Sequence, residues 1–290
     1  MASGIPTNRT NITLPNDVSE VIMQKTQESS AIMSLAKRIN LTGKGASIPV
    51  IVSDPVASWV AETDKKPVSN PELTTKIMTP YKLAVIVPFS DEFARDAEAL
   101  YDEIVRRVPL ALAEKFDKTV FTGSGAPVAN FDTFASATAQ SLSSGAYDAL
   151  VGAVTDVADA GYALNGWVLS PQAKGELLLA KDSDQRPIFL NNVSEDAFPT
   201  ILGERVHISR AAYAQGTPDL VGVAGDWSQA LYGTVEGVKI DYSKEASLTI
   251  DDEVVNLWER NMFALRAEIE VGFRADVNAF NKLTRTGTSS

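Results

Sequence analysis

An α+β fold is what this sequence predicts, and three observations carry the prediction. A sustained apolar stripe (Phe93, Ala97, Leu100, Ile104, Val108, Leu112, Phe116, Val120) recurs at steps of three or four and marks one long helix. Alternating or β-branched runs lie on both sides of it, from Ala46 to Ser53, Leu83 to Phe89 and Val254 to Val271. Between helix and last run, short helical and extended patterns alternate, separated by Gly and Pro turns, with no internal repeat.

Residues 1–18 lack periodicity and are rich in Gly, Pro, Asn and Thr, which reads as an extended arm. From Asp17, a plausible N-cap, to Leu41 the pattern is weakly helical, through Val18, Val21, Ile22, Ile32, Leu35 and Ala36. The runs 46–53 and 83–89 flank a polar, proline-containing tip, Asp64 to Glu72, and together predict a long two-stranded hairpin. Such a ribbon is marginal in water unless something covers it. Ser90 is the expected N-cap of the long helix, with Asp91 and Glu92 favoured by the helix dipole. Pro109 inside it removes a hydrogen bond and predicts a kink near Val105, and the helix stops at Gly123.

Beyond, a helix is expected over 146–160, a strand over 166–170 ended by Pro171, and a helix over 172–180. Strands follow at 204–209, at 220–224 with 230–233 as a pair, and at 238–242. In the final run Phe263, Leu265, Ala267, Ile269 and Val271 alternate with Met262, Ala264, Arg266, Glu268 and Glu270, which predicts a strand over 254–273.

The composition narrows the function. The chain has 290 residues, 44% of them hydrophobic, enough for a sizeable core. It has no cysteine and one histidine, His207, which excludes disulfide frameworks, thiol catalysis and multi-His metal sites, so neither metal nor cofactor is expected. No run reaches the roughly 18–20 apolar residues of a membrane span, and no signal peptide opens the chain, so a soluble protein made in a cytoplasm is expected. A net charge of -11 opposes phosphate binding, which needs Lys and Arg to displace counterions.

The motifs are weak as chemistry. Phe121-Thr-Gly-Ser-Gly-Ala-Pro127 lacks a phosphate loop's Gly-Lys-Ser/Thr ending and follows a helix C-terminus, whose carbonyls repel phosphate. His207 alternates with Val206 and Ile208 and has no nucleophile elbow beside it. Asp251-Asp-Glu253 reads as a solvated turn.

The order of the elements is more telling. Trp59-Val-Ala-Glu62, the Lys66-Pro67 tip and Leu83-Ala-Val-Ile-Val-Pro-Phe-Ser90 running into the long helix resemble the major capsid proteins of tailed bacteriophages, the fold named after phage Hong Kong 97. So do Asp117, Phe121-Thr-Gly-Ser-Gly125, Trp167-Val-Leu-Ser-Pro171, Gly203, Asn261-Met-Phe-Ala-Leu-Arg-Ala-Glu268 and Ala279-Phe280. The resemblance implies an N-terminal arm over 1–30 and an E-loop hairpin over 47–87 that lies across a neighbouring subunit. It implies a peripheral domain from 31–46, 88–124 and 246–290, with a spine helix over 90–122 and the long strand over 254–273, and an axial domain over 125–245.

The function so implied is a structural head protein that self-assembles through pentamers and hexamers into an icosahedral shell around double-stranded DNA. The shell would be built in the bacterial host cytoplasm and would hold its DNA without strong specific binding. The arm starts almost at Met1, so the scaffolding protein is expected to be separate, alongside a portal and a decoration protein. The E-loop tip, Asp64, Lys65, Lys66 and Pro67, would make inter-subunit contacts. The type member's Lys–Asn isopeptide cross-link maps onto Lys66 and Asn261, with Glu268 as the assisting base. Seven residues would put Asn261 and Glu268 on opposite faces of a regular strand, so different subunits would have to supply the two groups. Two other readings compete: an encapsulin-type bacterial compartment with the same fold, disfavoured by the polar, Pro-containing start, and a soluble enzyme, disfavoured by one His and no Cys.

Overall fold

The computed structural model describes residues 16–51, 59–60, 65–66, 68, 73–92, 97–181, 200–250 and 253–287. They divide into two compact units. The first is drawn from Met1–Ser30, Lys82–Phe116 and Glu236–Glu270, the second from Ala31–Tyr81, Asp117–Val235 and Val271–Ser290.

Of the arm expected over residues 1–30, extended to residue 18, residues 1–15 lie outside the described residues and the rest is largely helical. From Asn16 the chain forms helix α1 (Asn16–Ser29), which buries Ile22 and Met23 in the core of the first unit. Helix α2 (Ala31–Leu35) is one short turn, and it exists because of a residue far away in sequence. The Asp117 carboxylate, 1% exposed, accepts from the amides of Ala31 (2.7 Å) and Ile32 (3.4 Å), satisfying N–H groups that a helix start leaves open. The helical pattern expected to reach Leu41 stops there, since β1 (Lys37–Asn40) is a strand. Its pairing overrides a weak periodicity.

The predicted hairpin pairs differently. Strand β2 (Ala46–Ile51) runs antiparallel to β3 (Leu73–Met78), from Ala46 opposite Met78 to Ile51 opposite Leu73. The run expected to return, Leu83–Phe89, lies in β4 (Tyr81–Ser90) and belongs to another sheet. Its alternation explains why. Leu83, Val85, Val87 and Phe89 share one face, which packs against the first unit's core and so cannot serve a solvated ribbon.

The long helix also starts later than expected. Ser90 is the last residue of β4, its hydroxyl accepts from the Glu92 amide (3.3 Å), and the Asp91 amide donates to the Asn261 carbonyl (2.8 Å). Helix α3 spans Ala97–Thr122, and Phe93 lies outside the described residues. Ile104, Val108, Leu112, Phe116 and Val120 are all buried, as the stripe requires. Gly123 ends it in the left-handed region at φ 74°, its amide bonded to the Thr119 carbonyl.

In the second unit a six-stranded sheet is built from β5 (Thr138–Ser141), β6 (Gly166–Leu169), β7 (Thr200–Ile201), β8 (Glu204–Ile208), β9 (Asp219–Gly225) and β15 (Phe280–Arg285), in the order β5-β15-β9-β6-β8-β7. Helices α4 (Ala146–Asp159) and α5 (Pro171–Leu179) cover it, burying Leu150, Ala153, Ala173 and Leu177 with Trp167, Leu169 and Leu283. Pro171 opens α5 at its first position, and the Ser170 hydroxyl caps it by accepting from the Ala173 amide. The expected pairing of 220–224 with 230–233 does not occur. Between β9 and β10 (Ala230–Thr234) a turn around Trp227, held by Asp226, redirects the chain, and β10 pairs with β1 instead.

The first unit is completed by β11 (Lys239–Ser243), β12 (Ser247–Ile250), β13 (Glu253–Asn256) and β14 (Met262–Ala275). The single strand expected over 254–273 is broken: β13 pairs with β12 as a separate ribbon, and residues 257–261 turn. Asn256 Oδ1 accepts from the Trp258 amide, Met262 N bonds the Leu257 carbonyl, and Asn261 is left-handed at φ 51°. β14 pairs with β11 and β4, and its Phe263, Leu265, Ala267 and Ile269 face the core formed with α1 and α3. From Val271 onward β14 pairs with β10 in the second unit.

Candidate assembly surfaces

The ribbon β2–β3 carries the loop in which the sequence places the inter-subunit tip. Asp64 and Pro67 lie outside the described residues. Lys65 and Lys66 are exposed, and so are two apolar residues of the same β2–β3 connection, Trp59 (fully) and Val68. On β3 Ile77 is 51% exposed while its neighbour Met78 is wholly buried. An exposed tryptophan with Val68 and Ile77 is apolar surface that the described residues leave uncovered.

Lys66 belongs to the second unit, and Asn261 and Glu268 to the first. Asn261 is not on a strand. It occupies the turn before β14, exposed and left-handed, with its carbonyl engaged by Asp91, so the face-alternation argument does not apply to it. Its residue type has a local reason, because Asn tolerates the left-handed conformation better than other non-glycine residues. Glu268 lies about 20 Å further along β14, counting about 3.3 Å per residue. Its carboxylate pairs with Arg266 at 3.3 Å. One chain therefore does not bring Asn261 and Glu268 into one site.

Near Asn261, Lys244 Nζ lies 3.0 Å from Asp91 Oδ1, and that hydrogen bond raises the lysine pKa. With the Asp91–Asn261 backbone bond, this clasp ties the start of β14 to the end of β4. On α3, Pro109 is buried, and Arg106 and Arg107 both pair with Glu103.

The other titratable groups are structural in their surroundings. His207 lies in β8, and burial lowers its pKa, which keeps the imidazole neutral. Asp219, with its side chain 1% exposed, accepts from the Gly216 amide (2.9 Å), Arg285 Nε (3.2 Å) and the Tyr213 hydroxyl (3.2 Å). The Gly216 amide first, and Arg285 after it, hold its pKa below the ordinary carboxylate value. Tyr162 donates to Asp276 at 2.7 Å and its pKa is pushed up to about 12. Among the described residues no cluster of His, Cys, Asp or Glu is arranged to hold a metal ion, and no helix is long and apolar enough to cross a membrane.

Sequence reasoning missed one residue of interest. The β7–β8 connection is a two-residue turn, Leu202–Gly203, with φ 50° and 88°, and Leu202 is 46% exposed. A left-handed leucine costs roughly 1–2 kcal/mol over the right-handed region. The legible signal was a Leu-Gly pair between strands where Asn-Gly is the usual choice.

Residues 10–284 match the family model described as the phage capsid family. The "Probable major capsid protein gp17" of Mycobacterium phage L5 is 32% identical over 281 residues, covering 89% of this chain and 85% of that protein. The "Major capsid protein" of Staphylococcus phage 80alpha is 25% identical over 287 residues, covering 93% and 84%. A solved chain from Microbacterium phage Oxtober96 superposes with a TM-score of 0.70 at 25% identity, over 88% of this chain and 91% of that one.

Proposed function

The chain belongs to the phage capsid family and is the major capsid protein of a tailed-phage head, and on that premise we propose how its parts divide the work of the shell. It is a structural protein of the virion capsid and not an enzyme. Capsid proteins of this family assemble as pentamers and hexamers into icosahedral shells. In the proposed division the loop between β2 and β3 is the E-loop and lies across a neighbouring copy. Segment 1–30 is the arm, residues 125–245 form the axial domain around the symmetry axes, and α3 with β14 builds the peripheral domain.

The observation that carries this reading is the uncovered apolar surface of the hairpin, Trp59, Val68 and Ile77. A second copy of the chain supplies the cover, and closed symmetry multiplies each modest contact. Deleting Asp64 to Glu72 tests it. The variant should remain folded by circular dichroism yet give few or unstable particles by negative-stain microscopy, and normal particle yield and stability would refute the assignment.

Three finer elements belong to the same proposal. Pro109 bends α3, because it lacks the amide that would bond the Val105 carbonyl. A scaffolding protein, a portal and a decoration protein act with the shell, and the DNA inside is confined without strong specific contacts, given the net charge of -11. A covalent Lys66–Asn261 bond, in which the Lys66 amine attacks the Asn261 carboxamide and ammonia leaves with Glu268 as base, requires groups from different chains. Boiled particles on a denaturing gel decide this point: a ladder lost in Lys66→Ala supports the bond, and a single monomer band removes it.

A further inference from the structure

We propose that the Leu202–Gly203 turn of one copy is a knob that seats in a groove on the next copy around the capsomer ring. The groove, of about 560 Å³, opens between the start of α4 and the end of α5, and its apolar lining includes Leu142, Tyr147, Leu179 and Ala180. This contact rests on the reading of residues 125–245 as the axial domain.

The knob is rigid and outward-facing. Ile201 is buried, and its carbonyl accepts from the Trp167 indole at 3.1 Å, so the stem of the turn is pinned to the sheet while Leu202 points into solvent. Leu202 is held in a costly backbone conformation with its apolar side chain nearly half exposed. Such an outlier points to a role outside its own chain. On the groove side Leu179 is 74% exposed, and Tyr147 is exposed as well.

The positions suit a ring. A heterologous contact needs two different patches on opposite sides of one unit. Arg205, next to the turn, pairs with Gly166, which is opposite Gly225, so the knob projects from that end of the sheet at the β7 edge. Leu142 follows Ser141, which pairs with Thr284 at the other end of the sheet, on the β5 edge. Knob and groove thus occupy diagonally opposite corners.

The charges match too. Glu204 and Arg205 flank the knob, and Lys181, Asp148 and Glu176 rim the groove. Among the described residues, Glu204, Arg205, Lys181 and Asp148 have no ion-pair partner in their own chain, and Glu176 has only Arg285 at 3.5 Å. Arg205 complements the two acids and Glu204 the lysine. That pattern, together with the diagonal placement, selects a second copy as the occupant.

The chain has no cysteine, so a disulfide test is clean. Leu202→Cys combined with Ala180→Cys, oxidised with copper–phenanthroline after assembly, should give a ladder ending at five or six linked chains on a non-reducing gel. Neither single variant should give it. Normal particles without the ladder would overturn the contact while leaving the shell reading intact, whereas failure of the unmutated chain to form any particle would remove both. In parallel, Leu202→Asn suits the left-handed backbone and should fold with an equal or higher Tm, yet weaken capsomers by on the order of tenfold in sedimentation. Unchanged capsomer dissociation in that variant would also overturn the proposal.

Discussion

Strands β3 and β4 are separated only by Thr79 and Pro80, and they meet opposite fates. β4 turns Leu83, Val85, Val87 and Phe89 onto a core that this chain itself supplies, with Phe89 stacked on Phe263 at 5.5 Å. β3 leaves Ile77 half exposed on a two-stranded ribbon. A strand with a whole apolar face is covered by its own chain, because a hydrophobic face buried within the chain needs no second molecule. A ribbon with scattered apolar residues keeps them exposed within the described residues, and on the proposed reading a neighbouring copy covers them. The difference lies between a face that the chain's own core covers and a ribbon that it leaves half exposed.

The contrast can be broken from the strongest side first. Phe263→Ala empties the core beneath β4 and should cost about 3–5 kcal/mol, read as a large fall in the denaturation midpoint of dispersed subunits. Asp117→Ala strands the amides of Ala31 and Ile32 and should cost about 1–3 kcal/mol in the same measurement. Asp219 gives a smaller, pH-dependent effect. Its pKa is depressed in the fold, so its contribution is present above the ordinary carboxylate value of about 4 and fades as pH falls through the lower folded value. Asp219→Asn should abolish that part of the acid sensitivity in melts between pH 2 and 6, as a loss of slope. Trp59→Ala sits at the far end: subunit stability should change by less than about 0.5 kcal/mol, while particles lose resistance to denaturant. Equal loss in subunit and particle would erase the distinction between the two strands.

The candidate site was partly legible in the sequence. Lys65 and Lys66 are exposed, as a polar tip requires. Asn261 was misplaced, because the run from Val254 to Val271 is apolar enough to read as one strand although Asn256 and Asn261 hold a turn inside it. Leu202 was marked only by a Leu-Gly pair where Asn-Gly is usual between strands, since nothing about a leucine itself announces a left-handed backbone.

By itself the sequence determined the local elements: the stripe of α3, its stop at Gly123, the alternation in β4 and β14, and a helix following the strand that ends near Pro171. Each depends on residues within a few turns of one another, where periodicity and cap chemistry act. The tertiary structure alone decided partners. It paired Ala46–Ile51 with Leu73–Met78 instead of with Leu83–Phe89, sent β10 to β1, and brought Asp117 to the start of a helix 86 residues earlier. A strand's pattern specifies which face is apolar but not which edge it joins, and that choice is made by the competition among all faces for one core.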